Sequence, residues 1–240
     1  MRFLGFRLYA PLASFGDVAV GERRPSLTAP TRSMILGLVA ACLGIRREET
    51  DKQAELERAL GVATRTDAPG TLLIDYHTAQ SPDGPRRAAF FKRYGVPIAT
   101  RRDEVNATFE KNGAPHPLDT QLSQRQYRTD AAYAVCLWFR DDRSPWTSEL
   151  LVERLREPWF VPFAGRKAAA LALPFEPTLV DATNPVEALR LLRFSLDGLV
   201  EKLTRSTKER VYRWEGDWPG LSCDRTEVRR DRVVSRARWQ

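Results

Sequence analysis

The sequence predicts an α+β fold, an antiparallel sheet of ferredoxin-like (RRM-like) topology with its helices on one face. Three observations lead there. The elements read off the chain run strand, helices, strands with a hairpin, strand, helix, strands. The strand segments alternate apolar and polar residues, as half-buried antiparallel strands do. Between two of them, the stretch Arg86 to Arg102 places Tyr94-Gly95-Val96-Pro97 between two extended arms, which reads as a β-hairpin.

Taken in order, Leu4, Phe6 and Leu8 alternate with Arg7 and Tyr9 and form a first strand. The same alternation argues against a signal peptide, which needs a continuous apolar block. Ala10 to Ser33 is rich in Pro, Gly and small polar residues, a long loop of the functional or mobile kind. "SMILGLVAACLGI" is a helix. Thr31 or Ser33 can cap it, Gly44 can end it, and Met34, Leu38 and Ala41 share a face. "REETDKQAELERAL" is a second, more polar helix with acids early. In "TLLIDYHTA", Leu72, Ile74 and Tyr76 lie on one side of a strand. "SPDGP" then serves as the hinge of the basic hairpin.

"QLSQRQYRTDAAYAVCLWF" gives a short strand and then a long one, with Tyr133, Val135, Leu137 and Phe139 on one face. "SPWTSELLVERLRE" is a helix beginning at Ser144 and Pro145. "FVPFAGRKAAALALPF" is a Gly-containing loop between apolar flanks. "NPVEALRLLRFSLDGLVEKL" is a helix with Asn184 as cap, Pro185 at its first position and Glu187 completing a capping box. Its buried face is Leu189, Leu192, Leu196 and Leu203. The segment from Val211 onward is strand-like and basic.

Composition narrows the function. A chain of 240 residues with 42% hydrophobic and 29% charged residues folds as a globular protein, as one large domain or a domain with an elaborated half. The net charge of +7 and pI near 9.6 suit a polyanionic partner. The basic residues divide into 32 Arg and 6 Lys. A guanidinium is a planar fork for phosphates that also stacks on bases, so the bias suits RNA; a GC-rich genome is the other source of such a bias. Cys42, Cys136 and Cys223 are far apart and odd in number, so neither a disulfide framework nor a metal pair is expected, and a reducing cytosol fits. The longest uncharged stretch, Ser33 to Ile45, is too short to span a bilayer.

Several chemistries are missing. The two histidines, His77 in a strand and His116 in the "APHP" loop, have no third ligand at metal spacing. Phosphate-cradling glycine motifs and a nucleophile elbow are absent, so no cofactor or metal is expected and no catalytic residue is nominated. Acid–base cleavage of RNA without a metal needs a base on the 2′-hydroxyl and an acid on the leaving oxygen. His116, Lys111, Tyr94 and Lys92 are the nearest grouping for it.

What is present is positive charge beside aromatics. Arg86 to Arg102 holds six basic residues (Arg86, Arg87, Lys92, Arg93, Arg101, Arg102), no acid, and Phe90, Phe91 and Tyr94. Such cations neutralise phosphates, and such rings stack on unpaired bases at roughly 1–3 kcal/mol each. The competing reading is a basic edge strand that guards against aggregation. A membrane surface would instead call for an amphipathic helix. Three smaller patches join it. Gly165-Arg166-Lys167 lets backbone amides approach a phosphate. Arg32 stands at a helix N-terminus, which favours anions or simply a cap. Arg125, Tyr127 and Arg128 lie along a strand edge.

Together these stretches resemble a known family. "RLYAPLASFG", "PTRSMILGLVAACLGI", "DYHT", "RQYRTDAAYAVCLWF" and "FAGRKAAALALPF" are similar, in character and order, to the CasD subunits of type I-E CRISPR surveillance complexes (Cascade), members of the repeat-associated RNA-binding superfamily. The resemblance covers about Phe3 to Phe175 and thins beyond. It implies a ferredoxin-like RNA-binding domain over 1–145, with a protruding thumb hairpin at about 84–104, and a C-terminal α+β extension over 146–240 packed on the same core. It further implies a cytoplasmic, non-catalytic subunit that caps the 5′ handle of the CRISPR RNA in antiviral defence, the thumb entering between handle and guide. Related type I-C subunits are themselves nucleases, which leaves a metal-independent repeat-processing endoribonuclease as the second reading. The implied RNA contacts are Ser14, Phe15, Gly16, Arg32, the Arg125, Tyr127 and Arg128 strand edge, the Gly165, Arg166 and Lys167 loop, and Arg86, Arg87, Phe91, Lys92, Arg93, Arg101 and Arg102 of the thumb. The implied partners are CRISPR RNA, the backbone and large subunits of Cascade, and target DNA through the complex.

Overall fold

The computed structural model describes residues 1–81, 92, 95, 119–194, 198–204 and 210–228. The chain divides into two compact units, one of Met1–Val18, Pro25–Leu73 and Gln126–Gln240, the other of Ala19–Arg24 and Ile74–Arg125.

The larger unit is an α+β assembly on an antiparallel sheet. Strand β1 (Arg2–Ala13) pairs antiparallel with β5 (Asp119–Phe139) on one side and β6 (Thr178–Asp181) on the other. β3 (Leu60–Ala68) pairs antiparallel with β5 and with β7 (Val211–Trp214). The strand order is β6-β1-β5-β3-β7. β5 is one strand of 21 residues where the sequence suggests two. Within it, Asp130 takes a positive φ of 53° without ending the strand.

Both faces of this sheet are buried. Leu4, Phe6, Leu8, Val62, Tyr133, Val135 and Leu137 point into the main core. Helices α1 (Arg32–Cys42), α2 (Thr50–Ala59) and α3 (Ser148–Arg156) cover that face. The opposite set, Phe3, Ala63, Ala134, Cys136 and Trp138, packs against α4 (Pro185–Leu191). The expectation of helices on one face therefore holds for three and fails for α4. A strand buried on both sides reads as near-continuous apolar sequence, and "AAYAVCLW" is such a run.

Local chemistry fixes the helix ends. The Thr31 hydroxyl accepts from Met34 N–H at 3.3 Å, so Thr31 is the cap of α1. The stripe α1 buries contains Ile35, Leu38, Val39 and Cys42, one position round from the expected one. α3 begins at Thr147, whose hydroxyl accepts from Leu150 N–H at 3.2 Å, and not at Ser144 and Pro145. Asn184 caps α4 as expected, accepting from Glu187 N–H at 2.9 Å. The long helix expected from there ends early. Leu192 already has extended angles, and a short α5 (Gly198–Leu203) follows separately. The cause is tertiary. The buried Arg65 guanidinium donates to the carbonyls of Leu189 and Leu192, and the Leu192 side chain lies over Gly5, where a Cβ would stand 2.3 Å from it. Leu189 and Leu192 are buried as expected, whereas Leu196 and Leu203 fall outside the described side chains.

In the smaller unit, β2 (Arg23–Arg24) runs parallel to β5, pairing Arg23 with Gln124 and Arg24 with Arg125. β4 (Thr71–Ser81) enters this unit from Ile74 on and also pairs with β5. The Gln124 side-chain amide donates to the Tyr76 hydroxyl at 3.1 Å, and its backbone N–H donates to Glu22 O at 2.9 Å.

Candidate nucleic-acid interface

Three segments distant in sequence meet within the larger unit. Ser14 follows the end of β1, and its N–H donates to Ala164 O at 3.0 Å. Its hydroxyl donates to Gln126 O in β5 at 3.2 Å. The 163–170 loop closes on itself through Ala164 N–H to Ala169 O and Ala169 N–H to Arg166 O, both 2.8 Å. At its tip Gly165 has φ +88°, and a Cβ there would lie 1.8 Å from Ser14 O. Only glycine permits that approach. Arg166 then lies over the Tyr127 ring, 4.6 Å from its centroid. Gly16 and Lys167 are exposed beside these anchored residues. Arg128 is half-buried and donates from Nε to Leu27 O at 3.4 Å.

This arrangement presents cations on a fixed backbone. The cation–π contact with Tyr127 fixes the Arg166 guanidinium in place. The cations also act inward. Burial pushes the Tyr133 hydroxyl well above its ordinary pKa, and the charges of Arg128 and Arg213 pull the other way. That hydroxyl stays protonated and donates to Thr28 O at 2.7 Å. The second half of the long loop is thereby pinned, with Leu27 N–H on Phe15 O at 2.7 Å and Phe15 N–H on the Ser26 hydroxyl at 3.0 Å.

Several of the expected contact residues are buried or already partnered. Phe15 is fully buried and packs edge-on to Tyr133 at 5.3 Å, so its ring faces the core and no base. Ser14 is buried too, its hydroxyl already donated. Tyr127 is 9% exposed with Arg166 over its ring, so it supports the cation instead of stacking on a base. Arg32 is half-buried and already partnered. It pairs with Glu215 at 2.6 Å and donates to the α2 carbonyl of Glu57 and to Leu60 O at 2.9 Å, which closes the C-terminus of α2. Arg125 belongs to the smaller unit. Lys92 is exposed, while Arg86, Arg87, Phe91, Arg93, Arg101 and Arg102 lie outside the described residues, as do Tyr94, Lys111 and His116.

Charge reasoning passed over Gln126, whose side chain accepts from Ser26 N–H at 3.2 Å and whose carbonyl holds Ser14. Its position between two half-exposed cations in an alternating strand was the available signal. Among the described residues no cluster of His, Cys, Asp or Glu is arranged to hold a metal ion. Among them, too, no helix is long and apolar enough to cross a membrane.

Comparison with known proteins agrees with the resemblance. A family model described as CRISPR-associated protein (Cas_Cas5) matches residues 3–239. The chain is 28% identical over 187 residues to the CRISPR system Cascade subunit CasD of Escherichia coli (strain K12), covering 78% of this chain and 75% of that protein. A chain of a solved CRISPR RNA-guided surveillance complex aligns at 28% identity with a TM-score of 0.48, over 73% of this chain and 62% of its own length. A solved Cas protein aligns at 23% identity with a TM-score of 0.43, over 72% of this chain and 61% of its own. With the family model spanning nearly the whole sequence, the chain belongs to the Cas5 family of CRISPR-associated proteins.

Proposed function

We propose that this chain is the RNA-binding structural subunit of a type I-E CRISPR surveillance complex, Cascade, in which it caps the 5′ handle of the CRISPR RNA in defence against foreign DNA. The observation that carries this is the convergence of Ser14–Gly16, Tyr127–Arg128 and Gly165–Lys167 on one anchored, basic surface. Gly16, Arg128, Gly165, Arg166 and Lys167 meet the RNA. Ser14, Phe15 and Tyr127 hold them from behind, and Arg32 ties α1 to α2 beneath. Arg125 makes its own contact in the smaller unit. Arg86, Arg87, Phe91, Lys92, Arg93, Arg101 and Arg102 form a thumb at about 84–104 that meets the junction of handle and guide.

The sheet of this subunit is ferredoxin-like. Support comes from the order β6-β1-β5-β3 with every pair antiparallel, and from α1 and α3 on one face, as in a β-α-β-β-α-β unit. Residues 1–145 supply β1, α1, β3 and β5 of that domain, and the extension 146–240 packs on the same core, completing the sheet with α3 and β6 and adding α4 and β7. The chain works in the cytoplasm without catalysis of its own. Its partners are CRISPR RNA, the backbone and large subunits and, through them, target DNA. The exposed run Trp159 to Phe163, with Trp159 at 68% and Val161 at 83% exposure, supports a protein contact on the larger unit.

The test is a titration of purified protein against 5′-labelled repeat RNA in EDTA at several salt concentrations, run on native and denaturing gels. Retarded, intact RNA with preference for the handle and steep salt dependence is expected. A discrete product at the base of the repeat would overturn the non-catalytic reading in favour of a metal-independent endoribonuclease.

A further inference from the structure

The smaller unit contains a polar groove of about 470 Å³ lined by Gly21, Glu22, Arg24, His77, Ala79, Arg125 and the 120–123 segment. It has room for a small ligand. Its basic character is built into the sheet. β2 is only two residues long, yet it runs parallel to β5 with Arg24 directly opposite Arg125. Register partners on adjacent strands stand about 4.8 Å apart with side chains on the same face. Both arginines therefore look into the groove from neighbouring strands. Like charges so placed repel, and two residues of pairing stabilise little. The pairing is nevertheless reinforced: Arg24 Nη1 donates to Gly21 O at 2.5 Å and to Arg23 O at 3.0 Å, and Gln124 N–H holds Glu22 O. Among the described residues no carboxylate forms a salt bridge with Arg125. Among the described residues of the lining, Glu22 is the one acid, beside Arg24, Arg125 and His77. Hydroxyls of Thr120 and Ser123 and the amide of Gln121 complete a set of donors.

We propose that Arg24 and Arg125 form a two-pronged clamp for a phosphodiester of single-stranded RNA, with His77 and the 120–123 side chains donating to the same backbone. An anion between two guanidinium groups removes their repulsion; the Arg125 fork offers paired donors to its oxygens, and Arg24, with Nη1 held by Gly21 O and Arg23 O, adds positive charge. The contact is sequence-independent, because every nucleotide carries the phosphate. This rests on the RNA-binding reading above and adds to it a site in the smaller unit, with Arg24 and His77 as new members.

The experiment compares the full chain with Arg24→Gln/Arg125→Gln, binding a single-stranded oligouridylate and the repeat RNA across a salt series. In the double variant the slope of log K against log salt should shrink by about 0.7, for the one phosphate held between the two arginines. Affinity for both RNAs should fall by the same factor, on the order of tenfold. Because Arg24 also holds its own loop, Arg125→Gln alone is measured too and should give about half the change in slope, while Arg125→Lys should keep it. An unchanged slope in the variants, with the parent binding RNA, overturns the clamp and leaves the RNA-binding function standing. Equal parental affinity for both RNAs, with the slope lost in the variants, overturns the handle-capping function and keeps the clamp. Failure of the parent to bind either RNA overturns both.

Discussion

At Gly165 the backbone sits at φ +88° with the Ser14 carbonyl where a side chain would begin. Gly165→Ala should destabilise the protein by about 2 kcal/mol or more, since it adds strain and a backbone collision at once. Gly16→Ala is the control. Nothing lies within 4 Å of its missing Cβ, so the change should stay within about 0.5 kcal/mol. Urea unfolding of the two variants checks both. The cysteines give a second residue-level test. Burial pushes the Cys42 thiol up to about 12 and the Cys136 thiol higher still, whereas Cys223 is exposed. A thiol reagent at pH 8 should modify one cysteine in the native protein and all three in denaturant, because the thiolate is the nucleophile. Modification of Cys42 without unfolding would contradict the packing of α1.

Among the elements, the helices differ in what holds their ends. α3 depends on Thr147, so Thr147→Ala should cost about 1 kcal/mol, and Ser144→Ala distinctly less. Thermal melts rank the pair, and the reverse order would move the start of α3 back to where the sequence suggests it. α4 depends on Arg65, whose side chain is 3% exposed, pairs with Asp67 at 2.7 Å and caps the Leu189 and Leu192 carbonyls. Arg65→Met should cost about 3 kcal/mol, since it leaves buried carbonyls without their donor and takes from Asp67 the nearer of its two cations, Arg210 at 3.5 Å remaining. β5 needs no such device: it is zipped between β1 and β3, with apolar side chains on both faces.

For the whole molecule, pH dependence at the alkaline end follows from burial. The folded-state pKa values of Tyr9, Tyr133, Cys42 and Cys136 are all raised, first by desolvation and, for Tyr9, also by its hydrogen bond to Asp130. Unfolding releases these groups to their ordinary values, so above pH about 9 the unfolded chain binds fewer protons than the native one. Their contribution is complete below that pH and is lost as pH rises toward the folded values. The urea midpoint should be flat from pH 7 to 8.5 and fall by pH 10.5. A midpoint that rises over that range would mean these side chains are not buried in solution.

Much of this was legible in the residues. The α+β class, β1, the cap at Asn184 and the apolar face of Tyr133, Val135 and Leu137 follow from period and capping chemistry, which depend on neighbours in sequence. So does the basic surface of residues 165–167, because a glycine between apolar flanks and beside two cations marks a tight, exposed turn. Tertiary structure alone decided the rest. β3 shows no clear alternation, since both its faces are buried, with Arg65 reaching the distant carbonyls of Leu189 and Leu192 and Thr66 accepting from Arg213. The helix after Asn184 stops where Arg65 takes its carbonyls, a contact 124 residues away in sequence. Phe15 and Arg32 look like ligands by composition and are structural by position, one in the core and the other tied to Glu215. Charge and aromaticity are properties of a residue, but the direction a side chain faces is fixed only when the sheet closes over it.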